Sequence, residues 1–205
     1  ELLKGQYLEI NGVISKAEGG LFDQTDDYSF NPDANDYVDW EKVTGYVNSV
    51  HVWGIEPMGD STGIETSASF KAYMLNGNRR SNSRHIEPHI VIYNNGSHEE
   101  ELKDIKARYY FTVDGYSDLN ISCWAFKNNI ERNNENGNHD IIDFILNALK
   151  NLFSRSQVDG VNAALSPLNP AREGADYCIE ITFDEDAGTI EPGEFVKVYT
   201  SVREG

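Results

Sequence analysis

Residues 27–57 read DYSFNPDANDYVDWEKVTGYVNSVHVWGIEP, a stretch in which aromatic and aliphatic side chains recur at short intervals. The stretch contains several tyrosine, tryptophan and valine residues, and these residue types favour extended strands. Trp40 and Trp53 lie within it, and their positions inside strand-like runs favour places in a hydrophobic core. The stretch therefore predicts strands that help to build a buried core.

Similar runs of strand-forming residues occur along the chain, at residues 7–14, 43–53, 69–75, 86–93, 105–113, 119–125, 177–183 and 195–202. Turn-forming residues separate several of them, at Asn11-Gly12, Asn94-Asn95-Gly96, Asp114-Gly115 and Pro192-Gly193. Within 177–183, Ile179, Ile181 and Phe183 alternate with more polar residues, which is typical of a strand with one buried face. These patterns predict an antiparallel β-sandwich.

One segment departs from the strand pattern. Residues 140–153, DIIDFILNALKNLF, place apolar side chains at helical spacing, and Asp140 is a candidate N-cap. The segment lacks the basic face that helices on anionic membrane surfaces usually carry. We therefore expect an inserted α-helix that packs on the sandwich.

The amino-acid composition disfavours several classes of binding partner. The 205 residues are 39% hydrophobic, enough for one substantial core. Thirty-four acidic against 17 basic residues give a formal charge of −17, which disfavours nucleic acid and anionic lipid as partners. No apolar run approaches the length of a membrane span, so we expect no membrane partner.

The two cysteines, Cys123 and Cys178, are too few to define a disulfide framework or a zinc site. A disulfide between them and two free thiols remain the alternatives.

Catalytic motifs are absent from the sequence: it has no GxSxG elbow, no HExxH helix and no Gly-rich phosphate loop. Hydrolysis of a glycosidic bond needs two placed carboxylates, and an abundance of acidic residues does not locate such a pair. We therefore expect that the chain is not an enzyme.

Four blocks of this sequence resemble those of a family 3 carbohydrate-binding module. They are residues 27–57, 86–96 (IEPHIVIYNNG), 107–115 (ARYYFTVDG) and 176–193 (DYCIEITFDEDAGTIEPG). The resemblance implies a nine-stranded jelly-roll sandwich that usually holds one structural calcium ion. It also implies non-catalytic binding of cellulose or a related β-glucan.

The blocks occur in a rotated order. Residues 1–58 resemble the C-terminal part of the family, and residues 69–205 resemble its N-terminal part. Between them, residues 59–68, GDSTGIETSA, have the small polar composition of a linker. Residues 3–14 and 190–202 both resemble the same family strand. We expect one circularly permuted domain over residues 1–205, and the alternative is a chain cut across two tandem modules.

The resemblance also implies a calcium site. The matching positions are Asp23, Asp26, Asp27, Thr112 and Asp114. Calcium prefers six to eight oxygen ligands, which carboxylates, hydroxyls and carbonyls supply. Four neighbouring aspartates would repel one another without a cation, and the alternative is a solvated acidic turn.

The ligand face departs from the family pattern. Family members that bind crystalline cellulose carry a flat strip with a Trp, an Arg and an Asp-His pair. The matching positions hold Gly19, Val13 and the pair Trp124 and Ala125. We expect a replacement platform made by Trp124, Phe126 and Tyr116, and the alternative is that Trp124 packs in the core or against the helix.

From the resemblance we expect a binding module appended to a secreted protein that degrades plant cell walls. Two alternatives remain open. One is an ancillary module that packs on a linked glycoside hydrolase. The other is a structural or assembly module of a cellulosome-like scaffold at the cell surface, without strong glycan binding.

Overall fold

The computed structural model of the chain describes residues 6–16, 20–57, 70–94, 99–114, 119–129, 155–189 and 194–199. The predicted helix at 140–153 and the predicted linker at 59–68 lie outside the described residues. Among the residues described, no helix is both long and apolar enough to cross a membrane.

Fifteen strands are described. They are β1 (Gln6–Lys16), β2 (Phe22–Asp23), β3 (Val38–Asp39), β4 (Val43–Val47), β5 (Val50–Trp53), β6 (Phe70–Asn76), β7 (Asn82–Ser83), β8 (His85–Ile86), β9 (Pro88–Asn94), β10 (Ile105–Phe111), β11 (Leu119–Asn129), β12 (Arg155–Val158), β13 (Val161–Arg172), β14 (Ala175–Phe183) and β15 (Glu194–Tyr199). Short 3₁₀ turns occur at Gln24–Asp26, Leu102–Asp104 and Glu185–Ala187.

The strands form two main sheets. The larger has eight strands in the order β12-β11-β15-β1-β9-β6-β3, with β8 also paired to β1. The smaller has five, in the order β13-β14-β10-β4-β5, and β2 pairs with β7 in a separate ladder. Side chains from both sheets share one hydrophobic core, to which Met74 and Ile90 contribute from the larger sheet and Tyr109 and Ile179 from the smaller. The predicted all-β sandwich is confirmed.

Strands from both sides of residues 58–69 pair within these sheets. In the larger sheet β1 pairs with β9 and β3 with β6, and in the smaller sheet β4 pairs with β10. The described parts of the two segments that resemble the same family strand lie in β1 and β15, which run parallel with Tyr7 opposite Phe195. Both strands also pair with β11. The permuted single domain itself stays a prediction.

Two details of the strand pattern were predicted wrongly. Residues 43–53, treated as one run, form the hairpin of β4 and β5, whose turn residues Asn48 and Ser49 both have positive φ. A two-residue turn of this kind matches the twist of the strands it joins. The predicted turn at Asn11-Gly12 is instead part of β1, where Asn11 lies opposite Trp124.

Among the strands of four residues or more, two had no counterpart in the prediction. The twelve residues of β13 include Pro167 and Pro170, which argue against a central strand. The strand lies at the edge of the smaller sheet, where it pairs with β14 alone and its ladder shifts register between Pro167 and Arg172. An edge position tolerates the missing N–H groups of proline. The second is β12, at the edge of the larger sheet.

Both cysteines are free thiols. Cys123 of β11 packs against the main core, whereas Cys178 of β14 belongs to a separate buried cluster with Tyr110 and Ala175. The two thiols therefore lie in different packing environments. Burial raises the pKa of the Cys178 thiol to about 11, so this group remains protonated at neutral pH.

Candidate functional site

Two segments far apart in sequence meet beside the end of β10. The backbone N–H of Asp23 donates to Asp114 Oδ2 at 2.8 Å, and the backbone N–H of Thr112 donates to Asp27 Oδ1 at 2.7 Å. The Thr112 hydroxyl oxygen lies 3.1 Å from both Asp26 Oδ1 and Asp27 Oδ1, and 3.5 Å from Asp114 Oδ1. The structure thus brings together all five residues predicted to bind calcium, which we call the acidic cluster.

Local sequence explains this geometry. Asp23 caps the 3₁₀ turn Gln24–Asp26, because its Oδ1 accepts from the Thr25 N–H at 3.0 Å and from the Thr25 hydroxyl at 2.6 Å. These hydrogen bonds lower the pKa of the Asp23 carboxyl. The turn then directs Asp26 and Asp27 towards the residues that follow β10.

Asp27 is the buried member of the cluster. Its side chain is 6% exposed, and its Oδ2 atom is buried without a hydrogen-bond partner. Burial raises the pKa of Asp27 to about 8, even though the hydrogen bonds from Thr112 oppose that rise. A buried carboxylate oxygen that lacks a partner is costly, and a bound cation is one way to satisfy it.

The donor set of the acidic cluster fits a hard cation, because every candidate ligand atom is oxygen. Three of its four carboxylates, those of Asp26, Asp27 and Asp114, lie within 3.5 Å of the Thr112 hydroxyl oxygen. In the described part of the chain, no group of three or more His, Cys, Asp or Glu side chains is already arranged to hold a metal ion. Calcium therefore stays a prediction, supported by the unpaired Asp27 Oδ2.

A pocket adjoins the acidic cluster. It is lined by Thr25, Asp26, Asp27, Tyr28, Lys42, Glu173 and Gly174. Gly174 has a φ of +70°, and a Cβ at this position would lie 2.8 Å from the Asp26 carbonyl oxygen. Its own carbonyl accepts from the Tyr28 N–H at 2.7 Å. Only glycine fits this approach without strain, so Gly174 holds the turn before β14 against the cluster.

The predicted ligand platform lies on β11. Ile121, Cys123 and Ala125 of this strand pack into the main core, and Ala125 is fully buried. Successive side chains of a strand point to opposite faces, so Trp124 lies on the outer face of the larger sheet. It is partly buried and interacts with at least one other residue. This position favours the outer face over the core for Trp124, and the alternative that it packs against the predicted helix involves residues outside those described.

The other two platform residues are less fully described. Phe126 is in β11, where its backbone lies opposite Glu9 of β1 and Gln157 of β12, but its side chain lies outside the described atoms. Tyr116 lies outside the described residues. Of the three platform side chains, the structure therefore describes only that of Trp124.

Trp40 and Trp53, predicted to have core roles, both pack against the core cluster with part of their surface exposed. Trp40 Nε1 donates to the Ser29 carbonyl at 2.9 Å.

The outer face of the smaller sheet carries a polar network that sequence reasoning missed. Arg108 of β10 lies directly opposite Glu180 of β14 and donates to its Oε2 from Nε at 3.0 Å and from Nη2 at 2.8 Å. The guanidinium carbon lies 4.6 Å from the centre of the Tyr46 ring. Glu56 Oε1 lies 3.5 Å from Arg108 Nη1, and Glu56 Oε2 accepts from Arg172 Nη1 at 3.1 Å.

This network joins strands to the segment that follows β5. Arg172 Nη1 also donates to the Pro57 carbonyl at 2.9 Å, and the Tyr28 hydroxyl donates to the Ile55 carbonyl at 2.9 Å. Burial would raise the pKa of Glu56, but hydrogen bonds from Tyr46 and Arg172 outweigh it and lower that pKa. The network thus fastens residues 55–57 to the sheet.

Comparison with known proteins identifies the family to which the chain is similar. A family model described as a cellulose binding domain matches residues 2–54 and 71–204. Exoglucanase-2 of Thermoclostridium stercorarium is 34% identical over 125 residues, covering 60% of this chain and 10% of that protein. Anti-sigma-I factor RsgI4 of Acetivibrio thermocellus is 29% identical over 131 residues, covering 63% of this chain and 20% of that protein. The chain spans a fifth or less of the length of these relatives.

Among solved structures, the crystal structure of a family IIIa CBD from Clostridium cellulolyticum is 17% identical, with a TM-score of 0.38. The similarity covers 77% of this chain and 68% of that one. The family model matches well over half of the chain in two stretches. This chain therefore belongs to the cellulose binding domain family, family 3 of the carbohydrate-binding modules.

Proposed function

We propose that the chain recognises cellulose or a related β-glucan without hydrolysing it, as one module of a larger extracellular protein. The match of residues 2–54 and 71–204 to the cellulose binding domain family carries this proposal. Relatives named as an exoglucanase and as cellulosomal-scaffolding protein A support a setting in cell-wall degradation. In that setting, a linked hydrolase or scaffold supplies the other activities.

We assign the glycan-binding surface to the outer face of the larger sheet around Trp124. An indole ring on a sheet face is a rigid surface for stacking on a sugar, and ordering it costs little entropy. At Ala125, where cellulose-binding members of the family place part of a charged pair, a small and fully buried side chain offers no contact. Binding to crystalline cellulose should therefore be weaker than binding to single glucan chains.

The lowered pKa of one partly buried carboxylate, Glu56, argues against a role for it as a catalytic acid. Glu56 and Glu180 both form ion pairs with Arg108. Hydrolysis of a glycosidic bond needs one carboxyl group that stays protonated to act as the acid. The lowered pKa of Glu56 is the opposite of what that role requires.

Calcium has a structural role in this proposal. Asp23, Asp26, Asp27, Thr112 and Asp114 would hold the ion through oxygen atoms and so connect residues 23–27 with residues 112–114. Bound calcium would supply the positive charge that compensates the buried Asp27 carboxylate.

Affinity electrophoresis tests the proposal directly. The chain should be retarded in gels that contain soluble β-glucan, and should be retained weakly on microcrystalline cellulose. Release of reducing sugar from the same glucans should stay at the level of the buffer control. Migration that no β-glucan changes, together with no retention on cellulose, would contradict the proposed function.

A second setting is glycan sensing or assembly. One relative is named as an anti-sigma-I factor and another as a scaffolding protein, which supports a setting in signalling or in assembly. A sensing module would bind glucan as proposed above, whereas an assembly module would need no strong glycan binding. Sequencing of the regions that flank this chain in its gene would distinguish them: a hydrolase, a scaffold or a signalling domain would be found there.

A further inference from the structure

The segment between β6 and β8 concentrates positive charge in an otherwise acidic chain. Arg79, Arg80 and Arg84 fall within six residues and are all exposed. The chain as a whole has 17 basic residues against 34 acidic ones. We call residues 77–85 the arginine loop.

A buried glutamine fixes the backbone of this loop. Gln24 is 1% exposed, and its Nε2 donates to the Arg80 carbonyl at 2.7 Å and lies 3.4 Å from the Asn78 carbonyl. Its backbone N–H donates to the Ser81 carbonyl at 2.7 Å. The loop therefore has a defined conformation at its centre.

Side chains within the loop add to this order. Asn78 Oδ1 accepts from the Arg80 N–H at 3.2 Å, and Asn78 Nδ2 donates to the Ser83 hydroxyl. The same hydroxyl accepts from the His85 N–H at 3.1 Å. A ligand that binds such a loop loses less free energy to ordering than one that binds a flexible loop.

The guanidinium groups are available to a ligand. Arg79 Nη1 donates to the Asn35 side-chain oxygen. Within the part of the chain that the structure describes, the side chains of Arg80 and Arg84 form no hydrogen bond or ion pair. Guanidinium presents a planar fork of donors that matches a carboxylate with two parallel hydrogen bonds. Exposed, unpaired arginines on an ordered loop are therefore suited to carboxylate ligands.

We propose that the arginine loop is a binding site for the carboxylate groups of an acidic polysaccharide built from uronic acids. The choice of a polysaccharide over an acidic peptide rests on the proposed function of the chain as a carbohydrate-binding module. A polyuronate carries one charge per sugar, far less dense than the one charge per 1.7 Å of duplex DNA. At physiological salt, charges more than about 8 Å away are largely screened, so the net charge of the whole chain has little effect at the loop. The nearby acidic residues are Asp23, opposite Asn82 of β7, and Glu87, beside Gly77.

The loop lies next to the sheet that bears Trp124. β8, at the end of the loop, pairs with β1 so that His85 lies opposite Ser15, which in turn lies opposite Asn120 of β11. Trp124 is four residues further along β11, about 13 Å at 3.3 Å per residue. The sheet face and the loop are therefore two separate sites, one for a neutral glucan and one for an acidic sugar.

Three variants of the 205-residue chain test the site. The double variant R80A/R84A removes both unpaired cations, and R80K/R84K keeps their charge without the planar fork. The single variant K103E changes an exposed lysine on the 3₁₀ turn Leu102–Asp104, outside the loop. Both R80A/R84A and K103E take the formal charge from −17 to −19, so they match in net charge. Thermal melts establish that each variant is folded.

Affinity for polygalacturonate, for a neutral β-glucan and for polyglutamate is then measured in 0.15 M salt. The parent and K103E should bind polygalacturonate equally, R80A/R84A should bind it about tenfold more weakly or worse, and R80K/R84K should fall between them. All four proteins should bind neutral glucan alike.

Each other result has a definite meaning. Equal loss in K103E and R80A/R84A, or no binding of polygalacturonate by a parent that binds neutral glucan, would overturn the arginine site and leave the proposed function intact. Stronger binding of polyglutamate than of polygalacturonate would overturn the choice of polysaccharide. Polygalacturonate binding that depends on the arginines, in a parent that binds no neutral glucan, would support the site and contradict the proposed function.

Discussion

Asp27 combines burial with an unsatisfied oxygen, so its ionisation should influence stability. Its folded pKa of about 8 is raised above the ordinary value of 3.8. Its contribution to the free energy of unfolding is therefore complete below pH 3.8 and is lost as the pH rises through 8. In chelator, raising the pH from 4 to 8 should lower the urea midpoint of the parent more than that of Asp27→Asn, which stays neutral. Parallel pH profiles for the two proteins would show that Asp27 ionises normally.

Trp124 is the residue whose loss should most directly affect glucan binding. Truncation of an aromatic residue at the centre of a binding surface typically costs about 2 kcal/mol or more, close to a thirtyfold loss of affinity. Trp124→Ala should therefore bind soluble β-glucan at least about thirtyfold more weakly in calorimetry. Val50→Ala is the matched control, because Val50 is 60% exposed on the smaller sheet. If Trp124→Ala is folded and binds as the parent does, the platform lies elsewhere.

Arg108 and Glu180 form an ion pair between the paired strands β10 and β14. Their side chains are 31% and 24% exposed, so solvent screens the attraction only partly. In a double-mutant cycle of Arg108→Ala and Glu180→Ala, urea unfolding should give a coupling energy of about 1 kcal/mol in favour of the pair. A coupling energy indistinguishable from zero would mean that the pair adds no stability.

The strands show how far local sequence determines the fold. The alternation of Ile179, Ile181 and Phe183 predicted β14, because this strand has one face in the core. The hairpin of β4 and β5 was missed because its turn residues, Asn48 and Ser49, lack the glycine that usually marks such turns. Strand β13 was not predicted because it contains two prolines, which are tolerated only at the edge of a sheet. Whether a strand lies at an edge depends on the assembled sheet, which local sequence does not show.

The sites also differ in how far the sequence predicts them. The acidic cluster could be predicted because its two segments each resemble a family block, although they are about ninety residues apart. No such block points to the ion pair of Arg108 and Glu180, 72 residues apart, and their contact depends on the register of β10 against β14. The arginine loop was missed because only the folded structure shows that the side chains of Arg80 and Arg84 form no hydrogen bond or ion pair with the described residues.

For the molecule as a whole, calcium should couple the acidic cluster to the stability of the sandwich. A ligand that binds only the folded state at 100 times its dissociation constant stabilises it by about 2.7 kcal/mol. Calcium should therefore raise the melting temperature of the parent, and chelator should lower it. Asp114→Ala should respond to neither, because it removes one of the ligands. A parent whose melting is the same in calcium and in chelator, with no metal found by elemental analysis, would refute the site.

The central claim is that this chain binds β-glucan, and its affinity for soluble glucan tests that claim most directly. Isothermal titration of the parent with a soluble mixed-linkage β-glucan should show saturable binding. In parallel, the fraction of protein retained should be higher on amorphous cellulose than on microcrystalline cellulose, because the flat strip is incomplete. Absence of heat above dilution with the soluble glucan, together with no retention on either cellulose, would contradict the account.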